Sequence, residues 1–223
     1  MVFALLDASG SDDKAEENFP RDLGMDLDRF SVRDGEFPEN HGYDATVITG
    51  SQAAAYSEAP WIHSMKEWID AGIEKRMPFL GICFGYQVLA DVLGGKVEAR
   101  GKYEVGYQEI DRAENTLLLD GIPNPFTAFD AHSDVVTNLP LGAKKIAEDE
   151  YSMQGFRWRY VFGIQFHAEF DMETAEAVIE NRVIWNRRAE EANNNVTREN
   201  FEEAKKTKRL FDNFRNFVED HER

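Results

Sequence analysis

Three short apolar runs, residues 2–6, 45–49 and 78–82, stand between polar segments in the first part of the chain. Runs of this length are typical of buried strands, and the third is apolar throughout, as in a central parallel strand. Pro60 begins a segment, residues 61–75, in which apolar side chains recur on one helical face. Strands that alternate with helices predict an α/β fold with a largely parallel sheet.

The rest of the chain divides into a strand-rich stretch and a helical end. The elements predicted are a loop or short helix at residues 7–28, a strand at 30–33, a helix at 84–93 ended by Gly94-Gly95, and a strand-rich stretch at 96–166 with an excursion at 117–125. Two helices follow, at about residues 172–187 and 198–218, and Asn193-Asn194-Asn195 separates them. We therefore divide the chain into a domain, residues 1–190, and a C-terminal helical extension, residues 191–223.

The last predicted helix has an apolar face and a charged face. The apolar face is formed by Phe201, Ala204, Leu210, Phe211, Phe214, Phe217 and Val218. We expect this face to cover the core of the domain itself. The alternative is a docking face for a partner or for a second copy of the chain, which would form a homodimer.

Charge narrows the range of functions. The chain has 25 basic and 42 acidic residues and a net charge of −17. Residues 1–175 contain 31 of the acidic and 15 of the basic residues, a net charge of −16. Residues 176–223 contain the other 11 acidic and 10 basic residues, a net charge of −1. Nucleic acid is excluded as a partner because binding phosphate requires a basic surface. Concentrated salt screens the repulsion within such a surface, so a halophilic cytoplasm is one interpretation and an ordinary acidic protein is the other.

Cysteine content and hydropathy indicate the cellular compartment of the protein. Cys83 is the single cysteine, so the chain can form no internal disulfide and no four-cysteine zinc site. No apolar run approaches the roughly 20 residues that span a bilayer, and the N-terminus lacks the basic leader of a signal peptide. We expect a cytoplasmic protein without a metal or cofactor, since no phosphate-binding glycine loop is present either.

The segment around Cys83 carries the strongest chemical signal. An apolar strand ends in Gly81-Ile-Cys83-Phe-Gly85 and continues directly into a helix. This is the pattern of a nucleophile elbow with cysteine as the nucleophile. The N-terminus of the following helix would stabilise the thiolate over the thiol. A buried structural cysteine is the alternative, and the elbow pattern disfavours it.

A thiol nucleophile needs a general base and a group that orients the base. Among the five histidines, His167 follows a strand and is followed two residues later by Glu169. Residues two apart on an extended chain face the same side, so the carboxylate of Glu169 can hold the imidazole of His167. The triad predicted is Cys83, His167 and Glu169.

These segments together closely resemble the class I glutamine amidotransferase domain. The resemblance covers roughly residues 2–187 and is strongest in Gly81-Ile-Cys83-Phe-Gly85-Tyr-Gln87 and Gly163-Ile-Gln-Phe-His167-Ala-Glu169. Shorter pieces, among them Gly35-Glu-Phe-Pro38 and Thr49-Gly-Ser51, are similar to the stand-alone, GMP-synthase-like subgroup. The resemblance implies a flavodoxin-like three-layer sandwich and hydrolysis of the glutamine γ-carboxamide through a thioester on Cys83.

The resemblance also implies the supporting residues. The oxyanion would be bound by the backbone N–H groups of Phe84 and of the Gly50-Ser51 turn. Gln87 matches the family glutamine that helps to hold the substrate, and His132 lies in a loop expected near the active site. The chain departs from the family pattern at Ala168, where proline is usual, and at Gly50-Ser51, which replaces Gly-Gly-Pro. That replacement leaves open whether the oxyanion hole is preformed.

The resemblance leaves the substrate and the biological partner open. Glutamine and a γ-glutamyl compound, such as a γ-glutamyl peptide, both suit the triad. The chain shows no synthetase domain, so ammonia would pass to a synthetase in trans or be released by a free hydrolase. A catalytically silent regulatory or binding subunit is the alternative of a different class, and the intact triad disfavours it.

Overall fold

The computed structural model of the protein describes residues 1–9, 14–113, 116–183 and 195–221. The strands are β1 (Phe3–Asp7), β2 (Leu27–Ser31), β3 (Ala45–Ile48), β4 (Phe79–Ile82), β5 (Lys96–Arg112), β6 (Phe126–Asn138), β7 (Lys144–Glu148), β8 (Met153–Trp158) and β9 (Val161–Ile164). The helices are α1 (Ala15–Leu23), α2 (Pro60–Glu74), α3 (Phe84–Val92), α4 (Met172–Val183), α5 (Arg198–Ala204) and α6 (Arg209–His221). Short 3₁₀ turns occur at Val32–Asp34, Leu117–Leu119 and Lys205–Lys208.

All nine strands form one mixed sheet in the order β2-β1-β3-β4-β9-β8-β7-β5-β6. The first five of these run parallel, and each of the remaining strands is antiparallel to its neighbour. The predicted α/β fold is confirmed, and its parallel character holds for the five strands β2-β1-β3-β4-β9. Because parallel strands end at a common edge, the segments that follow β3, β4 and β9 converge there.

Helices cover both faces of the parallel strands, which gives three layers. Successive residues of a strand point to opposite faces. Leu5 of β1 packs in a cluster with Phe19 of α1 and Phe214 of α6, whereas the next residue, Leu6, packs in a cluster with residues of α2 and α3. A third cluster lies between the β5–β6 hairpin and helices α4 and α5. No helix among the described residues is long and apolar enough to cross a membrane.

Two boundaries near the N-terminus differ from the prediction. The polar segment at residues 7–28 contains α1 and the start of β2, which pairs with β1 from Leu27 onward. The strand expected at residues 30–33 ends at Ser31, and Val32–Asp34 forms a 3₁₀ turn ended by Gly35 at φ +82°. Strand β2 is at the edge of the sheet and half exposed, so its apolar pattern is weak and the boundary could not be read from it.

The predicted C-terminal helix at residues 198–218 is divided. Helices α5 and α6 are separated by the 3₁₀ turn Lys205–Lys208, in which the buried Thr207 donates its hydroxyl hydrogen to the Ala204 carbonyl at 2.6 Å. A side chain that bonds to the preceding turn favours such an interruption. The expected end of the preceding helix at residue 187 and the break at Asn193-Asn194 lie outside the described residues.

Helix α6 packs against the domain's own sheet. Leu210, Phe211, Phe214 and Val218 have no exposed surface. The ring of Phe214 contacts Phe3 and Phe162 edge-on, with centroids 5.9 and 6.1 Å apart. The apolar face of the tail is therefore occupied within the chain, while the division at residue 190 stays a prediction.

Candidate active site

Cys83 lies at a sharp turn between β4 and α3. Its backbone adopts φ 52° and ψ −104°, a conformation that non-glycine residues rarely adopt. A Cβ atom on Gly81 would lie 2.5 Å from the carbonyl carbon of Gly85, and one on Gly85 would lie 2.5 Å from the carbonyl oxygen of Ile48. Both flanking residues must therefore be glycine for strand, turn and helix to pack this closely.

The turn is held by backbone hydrogen bonds on both sides. The N–H of Cys83 donates to the carbonyl of Ile164 at 2.8 Å, and its carbonyl accepts from the N–H of Gln87 at 3.1 Å. Cys83 is 4% exposed and lines a cavity of about 230 Å³. The sulfur thus stands at the N-terminus of α3, where the helix dipole favours a negative charge.

His167 and Glu169 follow β9 at the same edge of the sheet. Nδ1 of His167 is 2.7 Å from Oε1 of Glu169, and the His167 backbone N–H donates to the Phe129 carbonyl at 2.8 Å. The ring of Phe170 stacks on the imidazole with centroids 4.1 Å apart. The imidazole is thereby fixed in both position and tilt.

Gly50 brings the imidazole close to the nucleophile. A Cβ atom at Gly50 would lie 2.8 Å from Cε1 of His167 and 3.7 Å from Cβ of Cys83. Only the absence of a side chain at this position lets both groups approach the turn after β3. Cys83 and His167, which are far apart in the sequence, therefore both lie against Gly50.

The charge of His167 is set by its neighbours. Burial lowers the pKa of His167, but Glu169 and Cys83 raise it by more, so that the pKa lies well above its ordinary value. The causes that raise it are the negative charge of both groups and the hydrogen bonds that they form with the ring. The site therefore favours an imidazolium next to the sulfur, as a thiolate–imidazolium pair requires.

The residues expected to bind the oxyanion also lie next to Cys83. Phe84 begins α3, and its side chain is fully buried. The Gly85 N–H donates to the Thr49 carbonyl at 3.2 Å, which ties the turn after β3 to the start of α3. The Thr49 hydroxyl donates to the Gly50 carbonyl at 3.0 Å. In a trans peptide the carbonyl and the N–H point in opposite directions, so the N–H of Ser51 points away from the Thr49 hydroxyl.

Gln87 does not project freely into the cavity. Its Nε2 donates to the Asp134 carbonyl at 2.9 Å and to Oε1 of Gln165 at 3.2 Å. Nε2 of Gln165 in turn lies 3.6 Å from Sγ of Cys83. Gln165 was not among the site residues predicted from the sequence, although its position two residues before His167 was a usable signal.

His132 lines the cavity, and both of its ring nitrogens are buried. Nε2 lies 3.5 Å from Glu104 and 3.7 Å from Asp130. Burial, and then the charge of His167, lowers the pKa of His132 to about 3, so the ring is neutral. We therefore do not assign it a hydrogen bond to substrate, and its effect would be on the shape of the wall.

Asp130, on β6 behind His132, is a second residue that was not predicted from the sequence. It is fully buried, and Gln154 donates to its Oδ2 at 3.2 Å. Burial, with the charges of Asp149 and Glu104, holds the pKa of Asp130 well above its ordinary value. The buried surroundings of Asp130 therefore disfavour the ionised form of its carboxyl.

Tyr56 and Asp134 are neighbours in the wall of the cavity. Tyr56 is 45% exposed, and burial and the charge of the neighbouring Asp134 raise the pKa of its hydroxyl. Both residues line the cavity together with Ser51 and Cys83. Within the described residues, no group of three or more His, Cys, Asp or Glu side chains is arranged to hold a metal ion.

Comparison with known proteins gives matches of two kinds. The family model "Glutamine amidotransferase class-I" matches residues 18–186. Gamma-glutamyl peptidase 5 of Arabidopsis thaliana is 31% identical over 171 residues, which cover 72% of this chain and 68% of the peptidase. A glutamine-hydrolyzing GMP synthase of Thermobifida fusca is 33% identical over 129 residues, which cover 56% of this chain but 23% of the synthase.

Solved structures give the same fold. A glutamine amidotransferase from Thermotoga maritima superposes with a TM-score of 0.85 and 25% identity, covering 97% of both chains. A glutamine amidotransferase from Methylobacillus flagellatus superposes with a TM-score of 0.78 and 16% identity, covering 97% of this chain and 94% of the other. Both matches extend into the C-terminal extension, since each covers nearly the whole chain.

Proposed function

The chain belongs to the class I glutamine amidotransferase family and is a hydrolase of that type, and from this premise we propose that Cys83, His167 and Glu169 hydrolyse the γ-carboxamide of glutamine. The observation that carries the proposal is the arrangement around Gly50. The sulfur of a strained elbow, an imidazole of raised pKa and the carboxylate that orients it meet beside one cavity.

In the first half of the reaction, the thiolate of Cys83 attacks the γ-carbonyl carbon and forms a carbon–sulfur bond. The carbonyl electron pair moves to oxygen, and the oxyanion accepts hydrogen bonds from the backbone N–H groups of Phe84 and the Gly50-Ser51 turn. The carbon–nitrogen bond then breaks as the His167 imidazolium gives its proton to the leaving nitrogen. Ammonia leaves, and a γ-glutamyl thioester stays on Cys83.

In the second half, His167 is neutral and acts as a general base. It accepts a proton from water as the oxygen adds to the thioester carbon. The carbon–sulfur bond breaks, glutamate leaves, and the thiolate–imidazolium pair forms again. Glu169 holds Nδ1 at 2.7 Å throughout, which directs Nε2 to the reacting groups.

The test is ammonia release from glutamine, together with intact-mass measurement of the protein during turnover. We expect a γ-glutamyl adduct on wild-type protein and neither adduct nor ammonia with Cys83→Ser. Thr46→Val is the control for a general effect of changing a buried polar contact, because it removes the 2.9 Å bond from the Thr46 hydroxyl to the Met77 sulfur in β3, and Thr46 does not line the cavity. Ammonia release that survives Cys83→Ser would overturn the proposal.

A γ-glutamyl peptidase is the second candidate, and the similarity to γ-glutamyl peptidase 5 over 72% of the chain favours it. The same thioester would form with an amine or peptide as the leaving group. Comparing kcat/KM for glutamine and for a γ-glutamyl dipeptide decides between the two.

We also propose that a synthetase receives the ammonia in trans. The support is the similarity of the chain to a glutamine-hydrolyzing GMP synthase, of which the match covers 23%. A reducing, salt-rich cytoplasm is proposed as the setting, supported by the single thiol and the net charge of −17. Size-exclusion chromatography of a cell lysate in KCl, with identification of co-eluting proteins, tests for the partner, and elution of the chain by itself would count against it.

A further inference from the structure

Two buried glutamines connect the cavity wall to the nucleophile. Gln165 has no exposed surface, and Gln87 is 3% exposed. Gln87 is on α3, one turn after Cys83, and Gln165 follows β9. Their side chains meet behind the sulfur, where a buried amide without a partner would be costly.

The orientation of both amides follows from one backbone carbonyl. The carbonyl of Asp134 can only accept, so the end of Gln87 that lies 2.9 Å from it must be the NH₂ group. That NH₂ group also faces Gln165 at 3.2 Å, so the facing atom of Gln165 must be its oxygen. The NH₂ group of Gln165 is then on the other side, 3.6 Å from Sγ of Cys83.

We infer that Gln165 is a further catalytic residue, whose amide N–H donates to the Cys83 sulfur and stabilises the thiolate, and that Gln87 is the positioning residue that keeps this donor turned toward the sulfur. The inference rests on the proposed role of Cys83 as the nucleophile. A thiolate is a stronger acceptor than a thiol, so the donor favours the reactive form.

The backbone holds the Gln165 donor in place. The Gln165 N–H donates to the Gln154 carbonyl at 2.9 Å, and the neighbouring Ile164 carbonyl accepts from the Cys83 N–H at 2.8 Å. Gln165 and Cys83 are 82 residues apart in sequence, yet their main chains are coupled at this point. A donor with fixed geometry on a buried atom requires little reorganisation when the charge forms.

The test is the rate of Cys83 alkylation by iodoacetamide as a function of pH, measured without substrate. We expect Gln165→Met to move the midpoint of the profile upward by about one pH unit, because it removes one hydrogen bond to a charged group. Gln87→Met leaves the donor present but free to turn, so we expect a smaller upward shift. The control Thr46→Val should leave the midpoint unchanged.

Gln165→Glu tests the same hydrogen bond if Gln165→Met does not fold. Glutamate has the same shape, one of its oxygens can still accept from Gln87, and the other faces the sulfur without an N–H. We expect an upward shift at least as large as that of Gln165→Met. An unchanged midpoint in either folded variant would overturn the inference. If the wild-type protein does not hydrolyse glutamine, that result counts against the proposed function and not against this inference, because alkylation does not require turnover.

Discussion

Nδ1 of His167 and Oε1 of Glu169 are 2.7 Å apart, and the two residues are 7% and 2% exposed. A buried carboxylate beside an imidazole both orients the ring and favours its protonated form. The two residues therefore have unequal roles, since the imidazole moves the proton and the carboxylate acts through it.

We expect His167→Ala to lower kcat more than Glu169→Gln does. Loss of the base removes proton transfer, typically worth about 10²–10⁴-fold. The glutamine variant keeps an imidazole, which is only misoriented. Steady-state kinetics with glutamine measure both, and the opposite order would show that the roles are wrongly assigned. If neither change affects turnover, His167 is not the general base.

We expect Gly50→Ala to reduce kcat by about 10²-fold, because its Cβ would lie 2.8 Å from the His167 ring and displace it. Gly94→Ala is the matched control. Gly94 has φ +86° and nothing within 4 Å of its Cβ position, so this change should cost about 1 kcal/mol of stability and leave kcat unchanged. Equal kcat values for the two variants would contradict the close approach at Gly50.

We expect Asp130→Asn to stabilise the protein more at pH 8 than at pH 4. The pKa of Asp130 is raised in the folded state by burial, so the unfolded chain loses this proton first as the pH rises. Stability in the wild type therefore falls above about pH 4, and an amide does not titrate. Thermal unfolding at both pH values measures the difference. Asp220→Asn, on the exposed side of α6, is the control for removing one carboxyl group from the surface.

We expect Phe214→Ala to lower the free energy of unfolding by about 3–5 kcal/mol, because the ring is fully buried against Phe3 and Phe162. Glu219→Ala is exposed on the same helix and should change it by less than about 0.5 kcal/mol. Denaturant titration measures both. A loss below about 1 kcal/mol for Phe214→Ala would mean that α6 contributes little to the stability of the domain.

We expect the melting temperature to rise with KCl concentration beyond the physiological range. The net charge of −17 is like-charge repulsion that compaction increases. Screening shortens the reach of this repulsion from about 10 Å at 0.1 M to roughly 3 Å at 1 M. Chloride is used because sulfate would also strengthen hydrophobic burial. A melting temperature that is flat or falls above physiological salt would exclude the halophilic interpretation.

The sequence by itself determined the fold class and the elements that carry local signals. The strand before Cys83, the elbow with its two glycines and the helix after it are encoded in one short continuous segment, which is sufficient to predict them. The pair His167 and Glu169 is equally local, because a spacing of two on an extended chain puts both side chains on one side. The bounds of edge strand β2 and the division of the last helix were not predicted, because half-exposed pairing and the hydroxyl bond of Thr207 leave weak patterns.

Only the tertiary structure decided which distant residues lie around Cys83. Gly50, Gln165 and His132 come from three different strands or the segments after them, and no spacing along the chain reports their distances. His132 has the residue type of a substrate ligand, yet packing buries its nitrogens beside Asp130. The spacing of Gln165 from His167 could have marked it as a site residue, but only the hydrogen bonds that begin at the Asp134 carbonyl show that its amide N–H faces the sulfur. The physical reason is that a side chain's chemistry is local, whereas its burial and hydrogen-bond partners are properties of the packed sheet.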